Sequence, residues 1–253
     1  MSDVSGMARL APRRVSPKPA EEPEEAQTYF FAGDILGVVG LVFSPRFTSY
    51  EIFIRELVAN AADAMSILKD YAPEKVERGE ELFVRVTPDK YNATLTVEDL
   101  GIGMTLDELI DYLGTLGRSG SSGYMEYRKV ANRSNPRSLH LIGKFGMGFY
   151  SVFRVVDYVR VISKSHLGTP QFIWESADGE HFTVQRDKDM EYGQLRRGTK
   201  VICHMKKNMS EYVDFDRVEE LIFQHSDTLR FPVRFGMWQT ERRGEKRCWD
   251  RSV

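Results

Sequence analysis

Glu56, Asn60 and Asp63 stand four and then three residues apart in the stretch FIRELVANAADAM, and every residue between them is apolar or small. At about 100° per residue the three fall within roughly 60° of arc on a helix. The opposite arc holds Leu57, Val58, Ala61, Ala64, Met65 and Leu68, which predicts packing against the rest of the fold. An acid, an amide and a second acid on one stripe fit a solvated face. Here, however, the flanks are Ile52, Phe53, Ala59 and Ile67 rather than lysines and glutamates. Carboxylates and amides in an apolar frame need partners, because burial without them costs several kcal/mol. A bound ligand is one supplier.

Three further segments carry candidate chemistry. In VEDLGIGMT, Asp99 ends a β-like run and is followed by Gly101 and Gly103. An acid at a strand end can accept from an amino group, and glycines let backbone approach a flat ring; a calcium-like or plain turn fits the same letters. In GKFGMGFYS, Gly143, Gly146 and Gly148 precede a helix-compatible run from Phe149 to Val156. Free N–H groups at such a start suit phosphate oxygens, although the GK[ST] ending of a P-loop and the βαβ setting of a dinucleotide fingerprint are missing. Thr199 in RRGTKVICH is a strand-borne hydroxyl after a glycine.

The elements that must position these residues can be read from periodicity. Residues 49–69 form the strongest predicted helix. ELFVRVTP and ATLTVED alternate as half-buried strands do. TLDELIDYL opens with Thr105 and has Glu108 three residues on, a capping box. Residues 117–142 are rich in Gly, Ser, Asn and basic residues, which predicts a long loop system with one short helix. β-like runs follow at DYVRVIS, QFIWES, HFTVQR and TKVICHM, then a helix from about 213 to 229. Adjacent strands without intervening helices imply an antiparallel sheet with helices on one side. The expected fold is α+β: a two-layer sandwich with a mostly antiparallel, about eight-stranded sheet, covered on one face by helices and carrying a mobile lid. Gly33, Gly37 and Gly40 make the first helix, AGDILGVVGLVF, intrinsically weak.

The 253 residues divide into a tail at 1–27, expected to be disordered, one domain at 28–237, and a charged stretch at 238–253 read as the start of a linker. The segment from Met7 to Ala20 has Arg9, Arg13, Arg14 and Lys18 and no acid, the charge pattern of an organellar transit peptide as well as of a plain solvated tail. A formal charge of −2 gives no general attraction to nucleic acid or to an anionic membrane. Cys203 and Cys248 make neither a metal pattern nor a disulfide framework. No apolar run approaches the roughly 18 residues of a membrane span.

ELVAN, then DxGxG about 40 residues on, then GxxGxG about 45 further, then GTK on a later strand, resembles the ATP-binding domain of the 90-kDa heat-shock chaperone family. That family shares a superfamily with gyrase, histidine kinases and mismatch-repair ATPases. EIFIRELVANAADAM, TLTVEDLGIGMT, LGTLGRSG, IGKFGMGFYS, WES, GTKVI and HSDTLRFPV carry the resemblance over residues 29–235, and FIREL and GRSG resemble bacterial or mitochondrial members. The resemblance implies ATP or ADP with Mg²⁺ as cofactors. It implies Glu56 as the catalytic carboxylate that activates water and Asn60 as the Mg²⁺ ligand. Asp63 lies near the nucleotide, and Asp99 reads the adenine amino group with Gly103, Met104 and Thr199 around the base. Asp111 and Leu113 are placed in the ATP site. Arg118 faces phosphate, and Gly146, Gly148 and Phe149 form the phosphate turn. The lid is residues 114–142, with Gly114, Gly120, Gly123 and Gly143 as its glycines. The family implies client proteins and co-chaperones as partners, a homodimer formed through a C-terminal domain, and an arginine supplied by a middle domain, so that this chain alone turns over slowly. It also implies ansamycin- or resorcinol-type ATP-site inhibitors, and no nucleic-acid or membrane partner. A mitochondrial location is expected, with a cytoplasmic one as the alternative.

Four positions depart from the family pattern: Leu100 replaces a small polar residue, Asp111 an asparagine, Ala61 a serine and Lys144 a glutamine. Two other functions share parts of the signature, a nucleotide-sensing module with degenerate catalysis and a gyrase- or mismatch-repair-type ATPase. Retention of both Glu56 and Asn60 disfavours the first, and the longer matched segments disfavour the second.

Overall fold

The structure, a computed structural model, describes residues 25–44, 46, 48–121, 123–124, 141–143, 145–224, 230–240 and 246–252. Of the expectations above, the tail up to residue 24, lid residues 125–140, Lys144 and the end of the last predicted helix lie outside the described residues.

Among the described residues, nine strands form one sheet: β1 (Gln27–Phe30), β2 (Val84–Asp89), β3 (Thr94–Asp99), β4 (Val156–Lys164), β5 (Phe172–Ser176), β6 (His181–Arg186), β7 (Gly198–Met205), β8 (Val233–Thr240) and β9 (Lys246–Ser252). Their order is β1-β6-β5-β4-β7-β3-β2-β8-β9. Every pairing is antiparallel except β2 with β8. The α+β, mostly antiparallel expectation therefore holds, with one strand more than the eight expected. The extra strand comes from the charged stretch read as a linker: Lys246–Ser252 pairs with Arg234–Thr240 at the sheet edge. Backbone ladder bonds there need no apolar alternation, the signal on which the sequence reading relied. β1 and β8 likewise were not among the six runs read as strands, and β1 includes Gln27 of the expected tail.

Strand alternation sorts the two faces. Val97, Val159, Val161, Trp174, Val184 and Cys203 point into the main core, where Trp174 and Val184 are fully buried. Ile162, Ile173 and Ile202 form a smaller cluster with Leu195. Around that cluster runs a charged ladder, with Glu98 between Arg85 at 3.5 Å and Lys200 at 3.1 Å, and Arg160 bound to Glu175 at 2.5 Å. Burial pushes the Cys203 thiol up to about 12, which makes it a packing group rather than a nucleophile.

The covering helices are α1 (Ile35–Val42), α2 (Ile52–Tyr71), α3 (Leu106–Gly114) and α4 (Phe215–Phe223), with 3₁₀ turns at Gly148–Arg154 and Lys207–Val213. α2 is the predicted strong helix. Phe53, Leu57, Met65 and Leu68 are buried in the core beneath it, and it stops where Ala72 leaves helical geometry ahead of Pro73. α3 begins with the predicted capping box: Glu108 N–H donates to the Thr105 hydroxyl at 3.3 Å, and the Glu108 carboxylate accepts from Thr105 N–H at 2.8 Å. α1 is short and is capped by Asp34, whose carboxylate accepts from Gly37 N–H at 2.8 Å. The predicted helix after Phe149 is a 3₁₀ segment. Among the described residues, no helix is long and apolar enough to cross a membrane.

Candidate functional site

A cavity of about 750 Å³ lies between α2, the end of β3, α3, the start of β7 and the loop before Tyr150. The base of the cavity is built at the β3 end. Asp99 is buried, and its Oδ1 accepts from Gly101 N–H at 2.7 Å. Burial, the dominant cause, lifts this carboxyl to about 7, while N–H donation from Gly101 and Thr199 acts the other way. Gly103 has φ +65°, and a Cβ there would fall 1.9 Å from the Lys164 carbonyl oxygen, so only glycine lets this turn lie against β4. Met104 N–H donates to the Ser163 hydroxyl at 2.9 Å, and that hydroxyl stands 2.9 Å from Thr199 Oγ1. The hydroxyls thereby tie β4, β7 and the turn together beside Asp99.

The other end is built on the first half of α2. Glu56 and Asn60 line the cavity, with Gly146, Gly148 and Phe149 facing them. A Cβ on Gly148 would stand 2.1 Å from Glu56 Oε2, so the glycine makes room for this carboxylate. Glu56 Oε1 also meets the Arg55 guanidinium at 3.1 Å. Gly101 packs on Ala64, and Ile102 N–H donates to the Ala64 carbonyl at 3.2 Å, which sets Asp99 level with Ala64. Glu56 lies eight residues earlier on the helix, about 12 Å along its axis. Thus an acid able to read an amino group and an acid beside a glycine-rich turn share one cavity, separated by a distance a nucleotide spans.

Of the other predicted residues, Met104, Gly103, Leu113, Arg118, Gly120, Gly143 and Thr199 line the cavity as well. Asp63 does not. Its carboxylate accepts from the N–H groups of Ile142 at 2.8 Å and Gly143 at 2.8 Å, and from the Ser121 hydroxyl at 3.3 Å. The sequence stripe is therefore split: Glu56 and Asn60 face the cavity, while Asp63 anchors the two described ends of the lid. Gly114 is the last residue of α3, with the Phe182 ring closed over it and its carbonyl bound by Ala32 N–H at 2.9 Å, so it is a packing position. Gly123 rests 3.5 Å from the Tyr112 hydroxyl, measured from where its Cβ would be. Asp111 lies outside the lining and grips Arg118 with both carboxylate oxygens, at 2.6 and 2.7 Å. Leu57, Ala61 and Ala64, on the arc expected to pack against the fold, line the cavity as well.

Tyr71, Tyr112, Tyr124, Ile102 and His166 line the cavity and were not singled out from the sequence. A signal existed for one of them: Asn60, Ala64, Ile67 and Tyr71 recur at four-three-four spacing and continue the Glu56 stripe. Among the described residues no group of three or more His, Cys, Asp or Glu could hold a metal ion. A cation here would draw on the single Asn60 amide and on ligand oxygens, which suits Mg²⁺, an ion that keeps waters and phosphates as most of its shell.

The family model described as histidine kinase-, DNA gyrase B- and HSP90-like ATPase matches residues 48–195, from just before α2 to the loop ahead of β7. The chain belongs to that ATPase family. This ATPase domain is 34% identical to heat shock protein 90-6, mitochondrial, of Arabidopsis thaliana, over 82% of the chain and 26% of the relative. It is 35% identical to chaperone protein HtpG of Myxococcus xanthus over 89% of the chain and 34% of the relative. It is 33% identical to the endoplasmin homolog of Hordeum vulgare over 85% of the chain and 26% of the relative. The chain thus spans between a quarter and a third of the length of these relatives. The relatives include bacterial, mitochondrial and endoplasmin-type proteins at nearly equal identity, so they support the chaperone family as a whole rather than its bacterial or mitochondrial branch, and they point to no single compartment.

Proposed function

We propose that the chain is the nucleotide-binding ATPase domain of a molecular chaperone, and that ATP hydrolysis in the whole protein drives folding and remodelling of client proteins. The observation that carries this reading is the buried Asp99 carboxylate in the same cavity as Glu56 and the Gly146–Gly148 turn. An adenine amino group donates to Asp99 with Gly103, Met104 and Thr199 around the base, and the phosphates reach the N–H groups of the glycine turn. Asn60 would hold Mg²⁺ together with phosphate oxygens. The metal supplies charge neutralisation of the polyphosphate. Glu56, kept clear by Gly148, accepts the proton of the attacking water. Co-chaperones, dimerisation through a further domain, ansamycin- or resorcinol-type inhibitors at the same site and a mitochondrial location complete the proposal.

Titration of Mg-ADP into the folded chain tests the base site. The wild type should bind, and Asp99→Asn should lose about a hundredfold or more in affinity, enough to abolish measurable binding, the upper end of what a buried hydrogen bond to a charged group is worth. GDP, which presents a carbonyl where adenine presents its amine, should not bind. Equal binding by the wild type and Asp99→Asn would place the nucleotide elsewhere.

The Asp111–Arg118 pair bears on the phosphate end. Arg118 lines the cavity, but one of its terminal nitrogens is held by both oxygens of Asp111, and both side chains are well exposed. A phosphate must compete for that guanidinium. Because exposed pairs are weak, Asp111→Asn should tighten Mg-ADP by about two- to fivefold at low salt, with the gain shrinking as salt is raised. Unchanged or weaker binding at low salt would show that Arg118 does not serve the phosphates.

A further inference from the structure

Arg197 does not line the cavity, yet its side chain is only 5% exposed, which is unusual for a group that is always charged. Its Nε donates to the Leu100 carbonyl at 3.2 Å, and its NH2 meets Glu80 Oε1 at 2.8 Å. Glu80, 11% exposed, comes from the turn between α2 and β2 and also receives Arg196. The residue after Arg197 seals the contact: Gly198 has φ +100°, and a Cβ there would fall 2.2 Å from the Asp99 carbonyl oxygen.

The peptide joining Leu100 to Gly101 is the link to the site. In a planar trans peptide the C=O and N–H point in opposite directions. Arg197 holds this carbonyl, and the N–H of the same peptide donates to Asp99 Oδ1 at 2.7 Å. Guanidinium, peptide and carboxylate form a chain of hydrogen bonds running from a positive charge to a carboxylate, an arrangement in which each bond polarises the next. We propose that Arg197 is the positioning residue for the base-reading acid: from behind the Asp99–Gly101 turn it fixes the Gly101 N–H on Asp99 and supplies positive charge through that peptide. This rests on the reading of Asp99 as the adenine acceptor.

The surroundings of Asp99 leave this role to Arg197. Glu98 on its own strand opposes ionisation but is itself bridged to Lys200 of β7 and Arg85 of β2. Asp63 of α2 is turned to the lid ends. Glu108 of α3 is held at the Thr105 cap, and His166 sits past Ile102, whose carbonyl its N–H binds at 2.8 Å. Among the described residues, Arg197 is the cation that acts on the Asp99 carboxyl in favour of the charged form.

The test is Mg-ADP affinity from pH 5.5 to 8.5 for the wild type, Asp99→Asn, Arg197→Met, Arg197→Lys and Glu80→Gln, each checked for folding. Wild-type affinity should fall by about tenfold per pH unit on the acid side of its midpoint. Arg197→Met should move the midpoint up by about one unit, the effect of losing a nearby opposite charge, and weaken ADP by about tenfold at pH 7. Arg197→Lys keeps the charge and should return the midpoint toward the wild type. Glu80→Gln removes the counter-charge, so its midpoint should move down. A clamp without an electrostatic role would instead make Glu80→Gln and Arg197→Met weaken binding alike at every pH. If Asp99→Asn abolishes binding while Arg197→Met keeps the wild-type midpoint, this inference fails and the base site stands. If the wild type does not bind ADP, both fail. Should Arg197→Met not fold, the direction of the Glu80→Gln shift decides: a downward shift supports the role, and no shift or an upward one overturns it.

Discussion

Asp99→Asn is expected to make the nucleotide-free domain more stable above pH 7 than the wild type, while removing its ability to bind ADP. The folded-state carboxyl sits at about 7 against 3.8 for the free group, because it is buried. The folded protein therefore holds that proton more tightly than the unfolded chain does. The stability this provides is fully present below about pH 4 and is lost as pH rises to 7. Three units of separation correspond to a loss on the order of 4 kcal/mol, a large share of the 5–15 kcal/mol typical of a domain. Asparagine stays neutral at every pH and keeps an oxygen for the Gly101 N–H, so it avoids that loss. Urea unfolding at pH 5 and pH 8 would show it. The variant's advantage should be small at the lower pH and should approach several kcal/mol at the higher one. ADP should raise the stability of the wild type alone, because only a form that binds ligand is stabilised by it. Parallel stabilities at both pH values would mean that Asp99 carries no ionisation strain in the empty site. A strained acid that a ligand amine relieves is the expected signature of a group held for binding rather than for folding.

What the sequence made legible follows the strength of the local signals. The capping box at Thr105 and Glu108 involves neighbours on one turn, so the letters alone determine it. α2 was legible because its apolar residues repeat over twenty residues. The stripe on its other face was read as one unit, and there tertiary contacts intervened: Asp63 is committed to Ile142 and Gly143, some eighty residues away, which no periodicity reports. Asp111 and Arg118 were read separately, as a charge near phosphate and a cation facing it. Seven residues span the end of α3 and the turn after it, and only folding brings both Asp111 oxygens onto one Arg118 nitrogen. Ala61 and Ala64 look like core residues because their side chains are small. They line the cavity for the same reason, since small side chains leave room for a ligand. Arg197 was invisible because its partners, Glu80 and the Leu100 carbonyl, come from two distant turns, one of them acting through backbone.

At the other end of the cavity, Glu56→Gln should leave Mg-ADP affinity within about threefold of the wild type, while the slow ATP turnover falls by about a hundredfold or more, as expected when a general base is removed. Glutamine keeps the shape of the side chain and only its ability to take a proton is lost. Gly148→Ala tests the same carboxylate from the facing turn. Its new Cβ would stand 2.1 Å from Glu56 Oε2 and 3.0 Å from the carboxyl carbon, so either the carboxylate or the glycine turn must move. Turnover should fall as far as in Glu56→Gln, and ADP should weaken as well, because the N–H groups that meet phosphate shift with the turn. The pair can be separated by a double-mutant cycle. Glu56→Ala removes the two atoms Gly148→Ala meets first and leaves only Glu56 Cβ, at 3.2 Å. In that background Gly148→Ala should cost little ADP affinity. A large loss of affinity in the double variant would show that the glycine is required by the phosphate turn itself, and the room it leaves for Glu56 would then be incidental.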